Sequence, residues 1–219
     1  MKYKAFLFDF DGVIADTEHY YTDFWTIQGR IYFPDMPDFA NQIKGRSLKT
    51  IYEDYFSCLP KARKQIEQAL KAQEADMKYP LVSGAAEFLQ LSRQYVKTAL
   101  VTSSSESKMQ HVYEQLPFIR ESFDVIITAA DIIRSKPSPE CYLLAAERLG
   151  VTPDECVVFE DSEAGIQSAK NAGMKIAALA TTLSRQTLMP LADTIIDNFT
   201  NKTPETIALR LDKQERKSQ

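Results

Sequence analysis

Five short apolar runs, each continuous rather than alternating, constrain the fold of this chain most strongly. They occupy residues 4–8, 98–101, 125–128, 157–159 and 176–179. Continuous hydrophobicity is typical of strands buried on both faces, which occur mainly in parallel sheets covered by helices. Helix-start signals such as Thr152-Pro153-Asp154-Glu155 lie between the runs. The alternation of strand and helix predicts an α/β fold with a doubly wound, Rossmann-like parallel sheet.

One segment, residues 17–80, breaks this alternation. It contains no strand-like run, and it shows helical periodicity with Ile66, Ala69 and Leu70 on one face. A block of roughly 60 residues is too long for a simple connection between two elements. The sequence therefore predicts a small α-helical domain at 17–80, inserted into an α/β core formed by residues 1–16 and 81–219. We expect the hinges between the two at residues 15–17 and 80–83.

Charge and cysteine usage narrow the class of protein. A net charge of −4 and a pI near 5.4 argue against nucleic acid as the partner. A phosphorylated small molecule stays possible, since a bound cation can reverse the local field. The three cysteines are widely spaced without a CxxC pair, as in a reducing compartment. The first apolar run is too short for a signal peptide or membrane span. We expect a cytoplasmic monomer.

Residues that carry chemistry follow the predicted strands at the point where each strand ends. In open α/β sheets, ligands bind just beyond these carboxyl ends. Four acidic groups, hydroxyl groups, a glycine and a lysine would meet there: Asp9, Asp11 and Gly12, then Thr102 and Ser103, then Lys136, then Glu160 and Asp161. Four neighbouring carboxylates cannot all stay ionised unaided. Mg²⁺, which prefers oxygen ligands, is the natural counter-ion.

These residue types suit phosphoryl transfer. An aspartate such as Asp9 can attack phosphorus to form an aspartyl-phosphate, while a metal and a lysine neutralise the phosphoryl oxygens. A second acid two residues further on, Asp11, can protonate the leaving group and then deprotonate water. Gly12 permits a tight turn that directs amide groups at the phosphate. We expect Ser103 to open a helix whose N-terminus binds an anion.

Four segments carry a family resemblance: FDFDGVIADTE at 8–18, LVTSSS at 100–105, SKPSPE at 135–140 and VVFEDSEAGIQSAKNAG at 157–173. In this order they resemble the four motifs of the haloacid dehalogenase (HAD) superfamily, over residues 4 to about 180. The helical insert resembles the α-helical cap of the branch that holds β-phosphoglucomutase and many sugar-phosphate phosphatases. The resemblance implies a metal-dependent phosphate-transferring enzyme.

The resemblance also implies a role for each matching position. Asp9 would be the nucleophile and a metal ligand, and Asp11 the general acid/base with its backbone carbonyl on Mg²⁺. The remaining positions would hold the phosphoryl group (Thr102 and Lys136) or complete the metal site (Glu160 and Asp161). An acid at position 11 favours phosphate esters over dehalogenation or phosphonate cleavage. Arg46 falls where related enzymes carry a substrate-selecting loop, and could bind a second anionic group or simply be an exposed arginine.

Three functions remain open at this point. The first is a phosphatase acting on a small phosphorylated metabolite such as a sugar phosphate. The second is a β-phosphoglucomutase-type phosphotransferase, but mutases of that type place a histidine four residues before the cap tryptophan. Here Tyr21 lies four residues before Trp25, which weakens the mutase hypothesis. The third is a phospho-ligand binding module without catalysis, which would require a missing catalytic residue, and none is missing.

Overall fold

A computed structural model describes residues 2–44 and 46–215 of the chain. Within these residues six parallel strands form one sheet in the order β3-β2-β1-β4-β5-β6. The strands are β1 (Ala5–Phe8), β2 (Lys97–Val101), β3 (Val125–Ile127), β4 (Cys156–Glu160), β5 (Lys175–Leu179) and β6 (Thr194–Ile196). The predicted doubly wound α/β fold is confirmed. The order reverses between β1 and β4, and such a switch point leaves a crevice for a ligand at the carboxyl ends.

The five predicted strands are all present, with ends within one residue of the prediction. The sixth strand, β6, was not predicted. It has only three residues and pairs with β5 alone at the edge of the sheet. Its only apolar residues, Ile195 and Ile196, lie between Thr194 and Asp197, and two residues are too few to stand out as a continuous apolar run.

The sheet is buried on both faces, which explains the continuous hydrophobicity of its strands. Successive side chains of β1 alternate between two cores, with Phe6 and Phe8 in one and Leu7 in the other. The Phe8 ring stacks on Phe159 of β4 at 4.6 Å between centroids. The first core is covered by α5 (Ala85–Ser92), α6 (Glu106–Gln115), α7 (Phe118–Glu121) and α11 (Pro204–Glu215), and the second by α8 (Glu140–Leu149), α9 (Glu163–Asn171) and α10 (Arg185–Leu188).

The described residues of the insert between β1 and α5 form four helices: α1 (Glu18–Tyr32), α2 (Phe39–Gln42), α3 (Leu48–Tyr55) and α4 (Pro60–Asp76). They pack around a third hydrophobic cluster of their own. In α4 the buried stripe recurs every four residues, through Ile66 and Leu70 to Glu74. Ala69 was expected on this face but is exposed, since it lies on the solvent side of that stripe. The separate cluster supports our proposal that residues 17–80 form a cap domain.

Two linkers join the insert to the sheet and run side by side. The Asp16 amide donates to the Pro80 carbonyl at 2.8 Å, and the Val82 amide donates to the Ile14 carbonyl at 2.9 Å. The linker at Pro80 and Val82 therefore lies beside the segment that follows β1. No helix in the described part of the chain is long and apolar enough to cross a membrane.

Candidate active site

Asp9 follows β1 at the switch point of the sheet. Its amide donates to the Phe159 carbonyl of β4 at 3.1 Å, so the backbone of the neighbouring strand fixes its position. The side chain is almost wholly buried. Burial raises the pKa of Asp9 to about 7, with Lys136 acting to lower it and Glu160 and Asp11 acting to raise it. A carboxylate so poorly solvated needs cationic partners to stay ionised.

Lys136 supplies one of these partners from the loop before α8. Its Nζ lies 3.1 Å from Asp9 Oδ1 and 2.7 Å from Glu160 Oε1, and it donates to the Val101 carbonyl at 3.1 Å. Burial alone would lower the pKa of the ammonium, but the Asp9 and Glu160 carboxylates outweigh it and raise the pKa above its ordinary value. Lys136 therefore remains charged and links the ends of three strands, β1, β2 and β4.

Glu160, the last residue of β4, has no solvent exposure. Its Oε1 accepts hydrogen bonds from Lys136 Nζ and from Tyr142 Oη at 2.8 Å. Its Oε2 accepts three more, from the Asp161 and Ser162 amides and from Ser162 Oγ. A Cβ on Gly165 would lie 1.7 Å from Glu160 Oε1, so only glycine fits at that point of α9. Five donors hold this carboxylate in one orientation.

Three acids of the predicted metal site come together. One carboxylate oxygen each from Asp9, Glu160 and Asp161 lie within 4.8 Å of one another. Burial raises the pKa of Asp161 well above its ordinary value, and Glu18, Glu160 and Asp9 add to this. Thr182 Oγ1 donates to Asp161 Oδ2. A divalent cation would relieve the electrostatic cost of these buried acids, so the donor set fits a hard metal ion.

Gly12 is required beside this cluster. Its φ of +70° lies in the left-handed region, and a Cβ there would sit 1.8 Å from Asp161 Oδ2. Both observations exclude a side chain at position 12. The Gly12 carbonyl accepts from Thr181 Oγ1 at 2.6 Å, which fixes the turn.

The Asp11 carboxylate lies apart from the acid cluster and binds other side chains. Lys108 Nζ is 2.6 Å from each of its two oxygens, Ser104 Oγ donates to Oδ2 at 3.1 Å, and Thr17 Oγ1 donates to Oδ1. The sequence reasoning missed Lys108. Its one local signal is a cation in the first turn of α6, where the helix dipole disfavours positive charge.

The second motif differs from its prediction in one respect. Ser103 was expected to open a helix, but α6 begins at Glu106 with Ser105 as its N-cap, whose hydroxyl accepts from the Lys108 amide at 3.2 Å. The preceding residues turn instead, because the Ser104 amide donates to Thr102 Oγ1 at 3.0 Å. Thr102 is buried beyond the end of β2, and Ser103 lines the cavity above the sheet.

A cavity of about 330 Å³ lies between the sheet and the insert. Side chains from both parts line it, including Asp9, Asp11 and Asp161 below and Glu18 and Lys44 above. Its volume is at the lower end of the roughly 300–1,000 Å³ typical of ligand pockets. The site can therefore enclose a small molecule against the carboxylates.

Arg46 also lines the cavity, as the prediction of a substrate-selecting position requires. Its Nη1 lies 2.9 Å from Asp54 Oδ2, and both side chains are partly exposed. An exposed ion pair of this kind is weak and leaves the guanidinium able to take another anion. Gly45, which precedes Arg46 in the sequence, lies outside the described residues.

The fold and the site together define an enzyme: a doubly wound α/β sheet whose switch point carries a buried aspartate, a lysine and an acidic cluster under a helical insert. The comparison with known families is more specific. Residues 3–173 match the haloacid dehalogenase-like hydrolases, and the chain belongs to this family. The resemblance drawn from the four motifs is thereby confirmed.

Relatives of known name are phosphate-processing enzymes. The phosphorylated carbohydrates phosphatase of Thermotoga maritima is 32% identical over 78% of this chain and 82% of its own. Validoxylamine A 7'-phosphate phosphatase of Streptomyces hygroscopicus is 33% identical over 90% of this chain and 95% of its own. The β-phosphoglucomutase of Bacillus subtilis is 31% identical over 78% and 80%. The two phosphatase relatives, together with the family match, confirm an enzyme of the phosphatase class.

The fold is also found among solved structures. A HAD hydrolase of family IA, variant 3, from Entamoeba histolytica superimposes with a TM-score of 0.78. The alignment covers 95% of this chain and 99% of that one at 24% identity, so it shows a shared fold and nothing narrower.

Proposed function

We propose that this chain is a Mg²⁺-dependent phosphatase that hydrolyses a small phosphorylated metabolite, a sugar phosphate, through an aspartyl-phosphate on Asp9. The observation that carries the proposal is the pairing of two aspartates two residues apart with two different lysines. Asp9 contacts Lys136, whereas Asp11 contacts Lys108. Two acids in separate environments suit the two tasks that phosphoryl transfer requires, nucleophile and proton carrier.

The acid cluster supports a metal ion at this site. Asp9, Asp161 and the backbone carbonyl of Asp11 would be the protein ligands of Mg²⁺. Glu160 belongs to the same cluster, but its oxygens already accept five hydrogen bonds, so we assign it to holding Lys136. When bound, the cation supplies positive charge that neutralises the acids and the phosphoryl oxygens.

The chain's own groups divide the chemistry into two steps. In the first, a carboxylate oxygen of Asp9 bonds to phosphorus, and the bond from phosphorus to the leaving oxygen breaks. That oxygen takes a proton from Asp11. In the second, a water oxygen bonds to phosphorus, the Asp9–phosphorus bond breaks, and Asp11 accepts the water proton. Lys136 and the Thr102 hydroxyl would hold the phosphoryl oxygens throughout.

The cavity and the relatives support a sugar phosphate as substrate. The volume suits a small molecule, and charged groups on the insert side offer partners for hydroxyl groups. The relatives from Thermotoga and Streptomyces are named as phosphatases of phosphorylated carbohydrates and of validoxylamine A 7'-phosphate. We assign the enzyme to a reducing compartment, the cytoplasm, because Cys58, Cys141 and Cys156 are free thiols.

The β-phosphoglucomutase relative favours a second candidate, a phosphotransferase with the same intermediate. Tyr21 weighs against it. Its Oη donates to Glu74 Oε1 at 3.1 Å, and burial raises its pKa well above the ordinary value. A neutral phenol engaged in this way does not replace a histidine as a proton carrier near neutral pH.

A substrate panel tests the proposal. The purified protein is incubated with hexose, pentose and hexitol phosphates, with Mg²⁺ and with a chelator, and released inorganic phosphate is measured. We expect Mg²⁺-dependent release from at least one sugar phosphate, lost in Asp9→Asn. Conversion of β-glucose 1-phosphate into glucose 6-phosphate without phosphate release would instead identify a mutase. Undiminished turnover by Asp9→Asn would refute the aspartyl-phosphate mechanism.

A further inference from the structure

Lys108 is a buried cation that the phosphoryl-transfer scheme above does not use. Only 2% of its side chain is exposed, and its Nζ lies 2.6 Å from each oxygen of Asp11. The same ammonium lies over two aromatic rings, 4.5 Å from the centroid of Tyr21 and 5.6 Å from that of Phe10. The ammonium therefore contacts Asp11, the neighbouring Phe10 and Tyr21 of the insert, and the side chain also lines the cavity.

The position of Lys108 would be energetically unfavourable without its ion pair with Asp11. It is the third residue of α6, in the turn where the helix dipole repels cations. Removing an ammonium from water is strongly unfavourable unless it is paired and hydrogen-bonded. The Asp11 carboxylate supplies that compensation through two contacts, which also restrict the carboxylate to one orientation.

The insert holds Lys108 from the opposite side. Tyr21 of α1 lies over the ammonium, and its hydroxyl is anchored by Glu74 of α4. Gln115, at the end of the helix that carries Lys108, donates from Nε2 to the Met77 carbonyl at 2.9 Å. Lys108 thus lies between the insert and Asp11 and contacts both.

We propose that Lys108 is the positioning residue of Asp11, and that it aims this carboxylate at the water that hydrolyses the aspartyl-phosphate. The inference rests on the proposed function. In that step the water oxygen bonds to phosphorus, the Asp9–phosphorus bond breaks, and the water proton passes to Asp11. An ammonium that contacts both oxygens of Asp11 fixes the orientation of the carboxylate. The carboxylate is then already oriented toward the water before the proton is transferred.

The test separates the two chemical steps. With p-nitrophenyl phosphate the leaving nitrophenolate needs no proton, so formation of the phosphoenzyme does not depend on Asp11, whereas its hydrolysis does. In Lys108→Met, of similar length, we expect steady-state turnover to fall on the order of 10²-fold, the effect of a misplaced catalytic group. The first turnover stays fast, so a nitrophenolate burst of one per active site appears. Lys108→Arg restores part of the turnover.

Lys44→Met is the matched control. Lys44 lines the same cavity but pairs with Glu18 at 3.6 Å rather than with Asp11. Its loss is expected to change KM without creating a burst. The proposal is overturned if Lys108→Met turns over at the wild-type rate, or if its burst slows as much as its steady state, which would indicate a role in folding alone. A wild-type protein without phosphatase activity would instead overturn the proposed function.

Discussion

Replacing Lys136 by methionine is the perturbation whose effect on stability follows most directly from the structure. The substitution keeps an unbranched chain of similar length and removes one ammonium. That ammonium contacts Asp9 at 3.1 Å and Glu160 at 2.7 Å, and all three side chains are buried. Asp9 and Glu160 would lose their shared cation while both carboxylates stay largely buried.

The expected cost is large. Removing one partner of a buried ion pair destabilises a protein by about 3–5 kcal/mol, because the other charge is left uncompensated. For a chain of this size each kcal/mol shifts the melting temperature by about 2–4 °C, so the variant should melt about 6–20 °C lower. Adding Glu160→Gln removes one of the stranded charges. The double variant is therefore expected to regain part of the loss rather than to lose more.

The assay is urea unfolding and thermal melting of the metal-free proteins at neutral pH. Lys4→Met is the matched control, since Lys4 also pairs with a glutamate, Glu155, at 2.5 Å but is 63% exposed. Exposed pairs contribute little, and we expect no measurable change. Equal free energies of unfolding for Lys136→Met and Lys4→Met would show that the Lys136 ammonium does not compensate Asp9 and Glu160, and so would additive losses in the double variant.

Three further predictions follow from the site. On helix propensity alone, Gly165→Ala would stabilise α9 by about 1 kcal/mol. Its Cβ, however, would lie 1.7 Å from Glu160 Oε1, so we expect a lower melting temperature by calorimetry and slower phosphate release. Burial raises the pKa of Asp9 from 3.8 to about 7, so native metal-free protein keeps a proton that the unfolded chain releases. The free energy of unfolding should therefore fall as the pH rises from 3.8 to about 7. In Asp9→Asn, it should fall less steeply. Chelation should abolish turnover, and Mg²⁺ should restore it better than the larger Ca²⁺.

Much of the fold could be predicted because its signals are local. Each central strand is a continuous apolar run, since both faces of the sheet are covered, and each run ends in residues whose chemistry is visible in the sequence. The strand β6 is the exception, because only two of its three residues, Ile195 and Ile196, are apolar, whereas all three residues of the equally short β3 are apolar. Ser103 shows a related limit. Three consecutive serines each offer an N-cap, and the choice of Ser105 depends on Ser104 and Thr102 turning toward each other.

The parts of the site that escaped prediction depend on contacts between distant residues. Lys108 lies 97 positions from Asp11, and its helix would pass as a solvated surface element if only its composition were considered. The five hydrogen bonds on Glu160 likewise join three segments of the chain. The motifs indicate which residue types lie at the switch point. The role of each carboxylate depends on the side chains that contact it in the folded chain.

Trapping of a phosphoenzyme tests directly whether Asp9 is the nucleophile. The protein is mixed with an active sugar phosphate and Mg²⁺, quenched in acid within the first turnover, and reduced with borohydride, which converts an aspartyl-phosphate into homoserine. Peptide mass spectrometry should find homoserine at position 9 and nowhere else, and none in Asp9→Asn. Rapid phosphate release without a modified residue at position 9, or with the modification at another position, would contradict Asp9 as the nucleophile.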